Sequence, residues 1–189
     1  ELVDLAFLGH LSDVNQLSGV VLAMVIFDYV FWSFGFLRMG TTGLVAQAEG
    51  RNDKEEEAAL FWRGALIALF FGTLITLLQY PIGIAGFALL AGGADVESAG
   101  QQYYAAHIWG TIPTLLCYLC IGWLLGKQKA AYVVIISLVW QGTNIGLDYW
   151  FIVVKGMGAA GAGYAIMLAE WCGMITALGL VIKTWGGIP

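Results

Sequence analysis

Charge is what this chain has least of. Only 11% of its 189 residues are Asp, Glu, Lys or Arg, against 60% apolar, whereas a soluble domain carries about 25% charged residues. So little charge does not cover a surface in water, which excludes an ordinary soluble domain; the solvent must be largely lipid. Basic tracts and interleaved basic–aromatic patterns are missing too, so nucleic acid is not an expected partner. Cysteine is sparse: Cys117, Cys120 and Cys172 all fall in apolar runs. An odd count in such runs reads as small hydrophobes, not as a disulfide framework. Cys117 and Cys120 lie one helical turn apart with no histidine or carboxylate in their local run, so no metal site is expected. The motifs G-x-S-x-G and H-E-x-x-H and the phosphate-binding loop are lacking, which argues against a hydrolase or an ATP-driven pump. An intramembrane aspartyl protease needs G-x-G-D, and Asp148 follows Ile145-Gly146-Leu147. No enzyme and no catalytic residue is expected.

What is present is a series of long apolar runs. A bilayer-spanning helix needs about 20 mostly apolar residues. Leu2 to Leu11 is too short, has no signal-peptide features, and reads as the tail of a first helix. Leu17 to Met39 supplies a second, with Gly40-Thr41-Thr42-Gly43 as a small-residue break or tight contact before Leu44 to Ala48. The run from Arg51 to Glu57 is a solvated loop or helix start. Ala58 to Leu90 holds a span plus an excursion around Pro81, Gly92 to Ser98 a polar turn, and Tyr103 to Leu125 a span kinked at Pro113. Ala130 to Val154 and Gly161 to Ile182 complete the set. The expected fold is an all-α membrane bundle of six helices, the first partial, over residues 1–11, 17–48, 58–90, 99–125, 130–154 and 160–183.

Orientation follows the basic residues. Arg51, Lys54, Arg63, Lys127, Lys129 and Lys183 gather at the loops after the second and fourth helices and at the end of the sixth; the other side holds only Lys155. The positive-inside rule puts the crowded side in the cytoplasm. The net charge of −5 carries little weight beside that placement. Trp123, Trp150 and Trp185 lie near span ends. Gly161, Ala165, Ala169, Gly173 and Ala177 recur every fourth residue, as in a close helix–helix seam. Ser137, Gln141, Asn144 and Asp148 fall on one helical face, which should look into the bundle or a wet cavity.

Ionisable groups within apolar runs are the candidate functional residues, because a charge at the bilayer centre costs about 2.5–3.5 kcal/mol on insertion scales. Asp4 reads as a proton or cation ligand, or as an interfacial cap. Glu170, flanked at helical spacing by Met167 and Met174, reads as a site for cationic ligands or as a carboxylate paired with Arg38 or bonded within the bundle. Asp148 with Asn144 looks more like a site than either alone. Asp28 and Arg38 stand about 15 Å apart along one helix and need separate partners; Arg38 is placed to snorkel. His107 reads as an interfacial histidine. Gln141, Arg38 and Gln47 are taken as cavity or structural polar residues.

The run Val3-Asp4-Leu5-Ala6-Phe7-Leu8-Gly9-His10-Leu11 resembles the end of the first helix in the multidrug and toxic compound extrusion (MATE) family. Phe31 to Ala48, with its F-W-x-F-G-F-L-R-M-G-T-T-G pattern, is similar to the second helix of the DinF-like branch. Gly122-Trp123-Leu124-Leu125-Gly126, Asn144-Ile145-Gly146-Leu147-Asp148 and the Gly158 to Gly163 turn continue the match in order. The resemblance implies twelve helices in two lobes in a plasma-membrane exporter, this chain being the N-terminal lobe and lacking most of its first helix. It implies exchange of outward-moving small compounds, cationic ones in our reading, against an inward proton or sodium ion, with no other cofactor. Bilayer lipid and the C-terminal lobe would be the partners. Asp4 then matches a coupling-cation residue and Asn144 a nearby asparagine. Glu170 falls about where archaeal members carry an acid. Ile166 stands where an asparagine is expected, which weakens a sodium site of that type and favours a proton. The competing expectation is a lipid-linked saccharide or lipid flippase of related architecture, which should carry basic cavity residues.

Overall fold

The chain's computed structural model describes Leu5, Phe7, Gly9 and residues 14–185. Among these no strand occurs, and five helical segments are long and apolar enough to cross a membrane: Val14–Gly50, Lys54–Leu77, Ala94–Gly126, Ala130–Val154 and Gly158–Trp185. In chain order the helices are α1 (Val14–Ser33), α2 (Gly35–Gly50), α3 (Lys54–Leu77), α4 (Gln79–Leu90), α5 (Ala94–His107), α6 (Thr111–Gly126), α7 (Ala130–Asp148) and α8 (Gly158–Trp185). A 3-10 turn, Ile108–Gly110, joins α5 to α6, and a π-helical turn, Tyr149–Val154, extends α7.

The breaks have local causes, and several differ from the sequence expectation. The helix runs straight through Gly40-Thr41-Thr42-Gly43 and is interrupted instead at Phe34. Ser33 turns its hydroxyl back onto the Tyr29 carbonyl at 2.9 Å, and Gly35 follows, a pairing that loosens a helix. Thr42 donates to the Arg38 carbonyl at 2.8 Å, within the helix. The tight contact at this place comes from the partner helix: a Cβ on Gly122 would lie 2.5 Å from the Arg38 carbonyl, and one on Gly126 2.7 Å from Val45 Cβ.

Between residues 58 and 90 the chain divides at Leu78 into α3 and α4. Pro81 explains the division, because its ring cannot pack against the carbonyl four residues back, that of Leu77. The same reasoning places the 3-10 turn ahead of Pro113, whose ring displaces the Trp109 carbonyl. The expected turn over Gly92 to Ser98 is shorter than read: Ala91 ends α4 in a left-handed conformation and α5 begins at Ala94.

The long α5–α6 segment sits at the centre. α5 packs on α1 and α8, and α6 on α2, α3 and α8, whereas α7 lies outside and leans chiefly on α8. Two apolar clusters fill the bundle, one around Phe27, Tyr103, Ile108 and Ile166 and one around Phe61, Leu119, Trp123 and Val181. The small-residue stripe of α8 is buried throughout. Gly173 abuts Trp140 of α7, while neighbouring Gly163 meets the Tyr103 backbone of α5. Trp123 is buried and not interfacial; it stacks on Trp185 at 5.4 Å. Cys117 and Cys120 are core residues, but Cys172 faces outward.

The end of the bundle that carries the basic loops is tied by ions. Lys127 after α6 contacts Glu49 of α2 and, at 2.8 Å, Glu57 of α3. Lys54 binds the same two carboxylates at 2.9 and 2.8 Å. Asp53 caps α3 by accepting from the Glu56 amide at 3.0 Å. At the opposite end, Gln16 accepts from the Ala159 amide at 2.8 Å, closing the start of α8 after the glycine-rich turn.

Candidate functional site

α5 carries Tyr103 and His107 one helical turn apart, and α8 carries Glu170 opposite them. His107 Nε2 and Glu170 Oε1 lie 2.9 Å apart, with side chains 2% and 3% exposed. Counted from the start of each helix, His107 is about 20 Å and Glu170 about 18 Å along its axis at 1.5 Å per residue, well inside the bundle. His107 is therefore a buried partner and not an interfacial residue. Glu170 meets His107 and not Arg38, which is exposed on α2. The histidine ring lies against Phe27, centroids 4.0 Å apart, and against Tyr103 at 5.3 Å. The turn at Ile108–Gly110 makes the room: a Cβ on Gly110 would overlap the Glu170 carboxylate.

A second group sits near the end of α7. Asn144 and Asp148 are fully buried, and the helix widens into the π-turn at the next residue. Phe7, one of the described residues of the first helix, meets Tyr149 there at 6.5 Å. Ser137 and Gln141, expected on the same face, are exposed, so the polar stripe divides into a buried half and an open half. Gln47 is exposed on α2. Asp4 lies outside the described residues.

Asp28 occupies a third place. With Val25, Tyr29, Phe31 and Trp32 of α1 and Tyr118 of α6, it lines an open groove of about 620 Å³. Neither Asp28 nor Arg38 makes an ion pair with another described residue. An exposed carboxylate on an apolar helix belongs against water or a cation, since lipid would penalise it.

Sequence reasoning missed the His107 pairing because the expected polar turn over Gly92 to Ser98, with a span from Tyr103, puts His107 early in its helix. That placed His107 near the membrane surface. The spacing from His107 to Gly110, just ahead of Pro113, was the available signal for a buried group beside a helix break.

An apolar bundle with five helices long enough to cross a membrane, and with carboxylates and an asparagine enclosed in its interior, defines a polytopic membrane protein. The family model described as MatE matches residues 1–150. The chain belongs to that family, whose members are transporters and not enzymes, and it is a multi-pass membrane protein. It is 35% identical over 183 residues to the DNA damage-inducible protein F of Escherichia coli, covering 96% of this chain and 40% of that one. It matches the inward-facing structure of a multidrug resistance MATE family transporter of the MOP superfamily with a TM-score of 0.86 at 25% identity, covering 95% of this chain and 40% of the other. An outward-facing structure of such a transporter matches with a TM-score of 0.84 at 26% identity, covering 97% and 40%. The chain thus spans about 40% of the length of these relatives.

Proposed function

We propose that this chain is the N-terminal lobe of a proton-coupled antiporter that exports small organic cations by alternating access. The observation that carries the reading is the enclosure of Asp148, Asn144 and Glu170 within a largely apolar lobe. Buried intramembrane acids mark proton and ion pathways by default, because their cost demands a purpose. Asp4, Asn144 and Asp148 serve as the coupling group, and Glu170 on α8 is a further buried acid. Proton binding there favours one state of the cavity, and substrate binding favours the other.

The lobe's similar fit to inward-facing and outward-facing relatives supports rigid rocking against a second lobe, as repeats do in many transporters. A cationic substrate is supported by the groove of Asp28, Tyr29, Trp32 and Tyr118, since aromatic faces and a carboxylate attract an organic cation.

The test reconstitutes the full-length protein in liposomes and follows efflux of a fluorescent organic cation under an imposed pH gradient, then under a sodium gradient. The pH gradient is expected to drive efflux. Efflux under sodium alone overturns the proton assignment but keeps the exporter. No efflux under either gradient, with lipid-linked saccharide moving instead, replaces the exporter with a flippase.

A further inference from the structure

The contact between His107 and Glu170 joins two helices at the centre of the lobe, and nothing in it resembles a surface ion pair. Both side chains are enclosed, and their facing atoms stand at 2.9 Å. A proton must lie between those atoms, because an imidazole lone pair facing a carboxylate oxygen would repel it. Two proton counts satisfy that condition. Neutral His107 donating from Nε2 to the Glu170 carboxylate leaves the pair at one negative charge; one further proton leaves it without net charge.

The surroundings permit both counts. A histidine with a fixed role has its second nitrogen held by a partner, but His107 Nδ1 has no hydrogen-bond partner among the described residues. The wall from α1 is Phe27 and Phe31. From α5 the facing titratable group is Tyr103, and from α6 it is Cys117, within electrostatic reach of Glu170. The 3-10 turn offers only the bare backbone of Gly110.

We propose that His107 and Glu170 form a proton-exchange dyad, distinct from the Asp4, Asn144 and Asp148 group. It carries one exchangeable proton while the α5–α8 seam is closed and gives it to water when the seam hydrates. An apolar interior tolerates the uncharged pair; a pair with net negative charge needs water or a cation beside it. Proton loss is thereby tied to the opening of α8 from the 3-10 turn. No covalent bond changes: the proton passes between the pair and water. This rests on the exporter reading for its use, but not for its existence.

The experiment is pH-difference infrared spectroscopy on the full-length protein in liposomes, comparing native, His107→Gln and Glu170→Gln, with thermal unfolding as the control for folding. In the native protein, imidazole and carboxyl bands should change together. Glu170→Gln should remove the carboxyl band and shift the imidazole midpoint by about one pH unit or more, as for strongly coupled sites. Glu170→Asp, which keeps the acid but withdraws it from the ring, should also shift the midpoint if the Gln variants fail to fold. An imidazole band unchanged in the Glu170 variants would overturn the dyad. Bands that titrate together in a protein that moves no cation under any gradient would uphold the dyad and sink the exporter reading.

Discussion

At the residue scale, the lobe depends on side chains that are missing as much as on those present. Gly110 leaves the space that Glu170 fills, and Gly122 lets α6 close on the Arg38 carbonyl. Gly110→Ala is expected to lower stability by about 1–3 kcal/mol, the usual penalty for overpacking a filled site. Gly142→Ala, where an added Cβ meets nothing within 4 Å, should cause no loss. Thermal unfolding of the full-length protein in detergent distinguishes the two. Polar residues divide the same way. Asn144 is buried without a hydrogen-bond partner among the described residues, while Gln141 is exposed. Asn144→Ala should abolish gradient-driven efflux at matched protein level, and Gln141→Ala should leave most of it, as measured with a fluorescent cation in liposomes.

At the element scale, the ends of α2, α3 and α6 are held by one ionic cluster whose members are unequally buried. Lys127 is 9% exposed and Glu57 4%, whereas Lys54 is 58% exposed. Lys127→Ala leaves buried Glu57 paired with Lys54, so the loss should lie between that of a surface pair and the ~3–5 kcal/mol of breaking a buried pair outright. Lys54→Ala should cost about 1 kcal/mol or less, as for surface pairs. The ratio of the two losses, read from thermal unfolding, checks which lysine closes this end of the bundle. The breaks between elements were only partly legible in the sequence. The prolines marked theirs: Pro81 and Pro113 each follow their break within a turn, where ring sterics put it. Of the two readings of Gly40-Thr41-Thr42-Gly43, the break fails and the tight contact holds: Gly122 and Gly126 of α6 close on this stretch, while Gly40 and Gly43 have open space beside them. The true break at Phe34 falls between Ser33 and Gly35, a pairing that loosens a helix, whereas the same hydroxyl bond at Thr42 leaves its helix intact.

At the scale of the whole molecule, apolar run length was enough to read a multi-spanning bundle. Its internal order was harder to read. Which span lies at the centre depends on contacts between helices far apart in sequence, and the α5–α6 segment looks less apolar at its start than the peripheral spans do. For the same reason Asn144, Asp148 and Glu170 could be singled out as costly residues within apolar runs, while the partner of Glu170 could not. His107 is 63 residues away in sequence, and no local pattern links the two.

Acids of this lobe, Asp148 enclosed in α7 among them, couple a proton to export in the proposed mechanism. The most direct measurement is pH-gradient-driven efflux of a fluorescent organic cation from liposomes holding the full-length protein, native against Asp148→Asn and Asp4→Asn, at matched insertion. Each variant is expected to fall to the rate seen without a gradient while the cation still binds. Efflux at the native rate in both variants would contradict it.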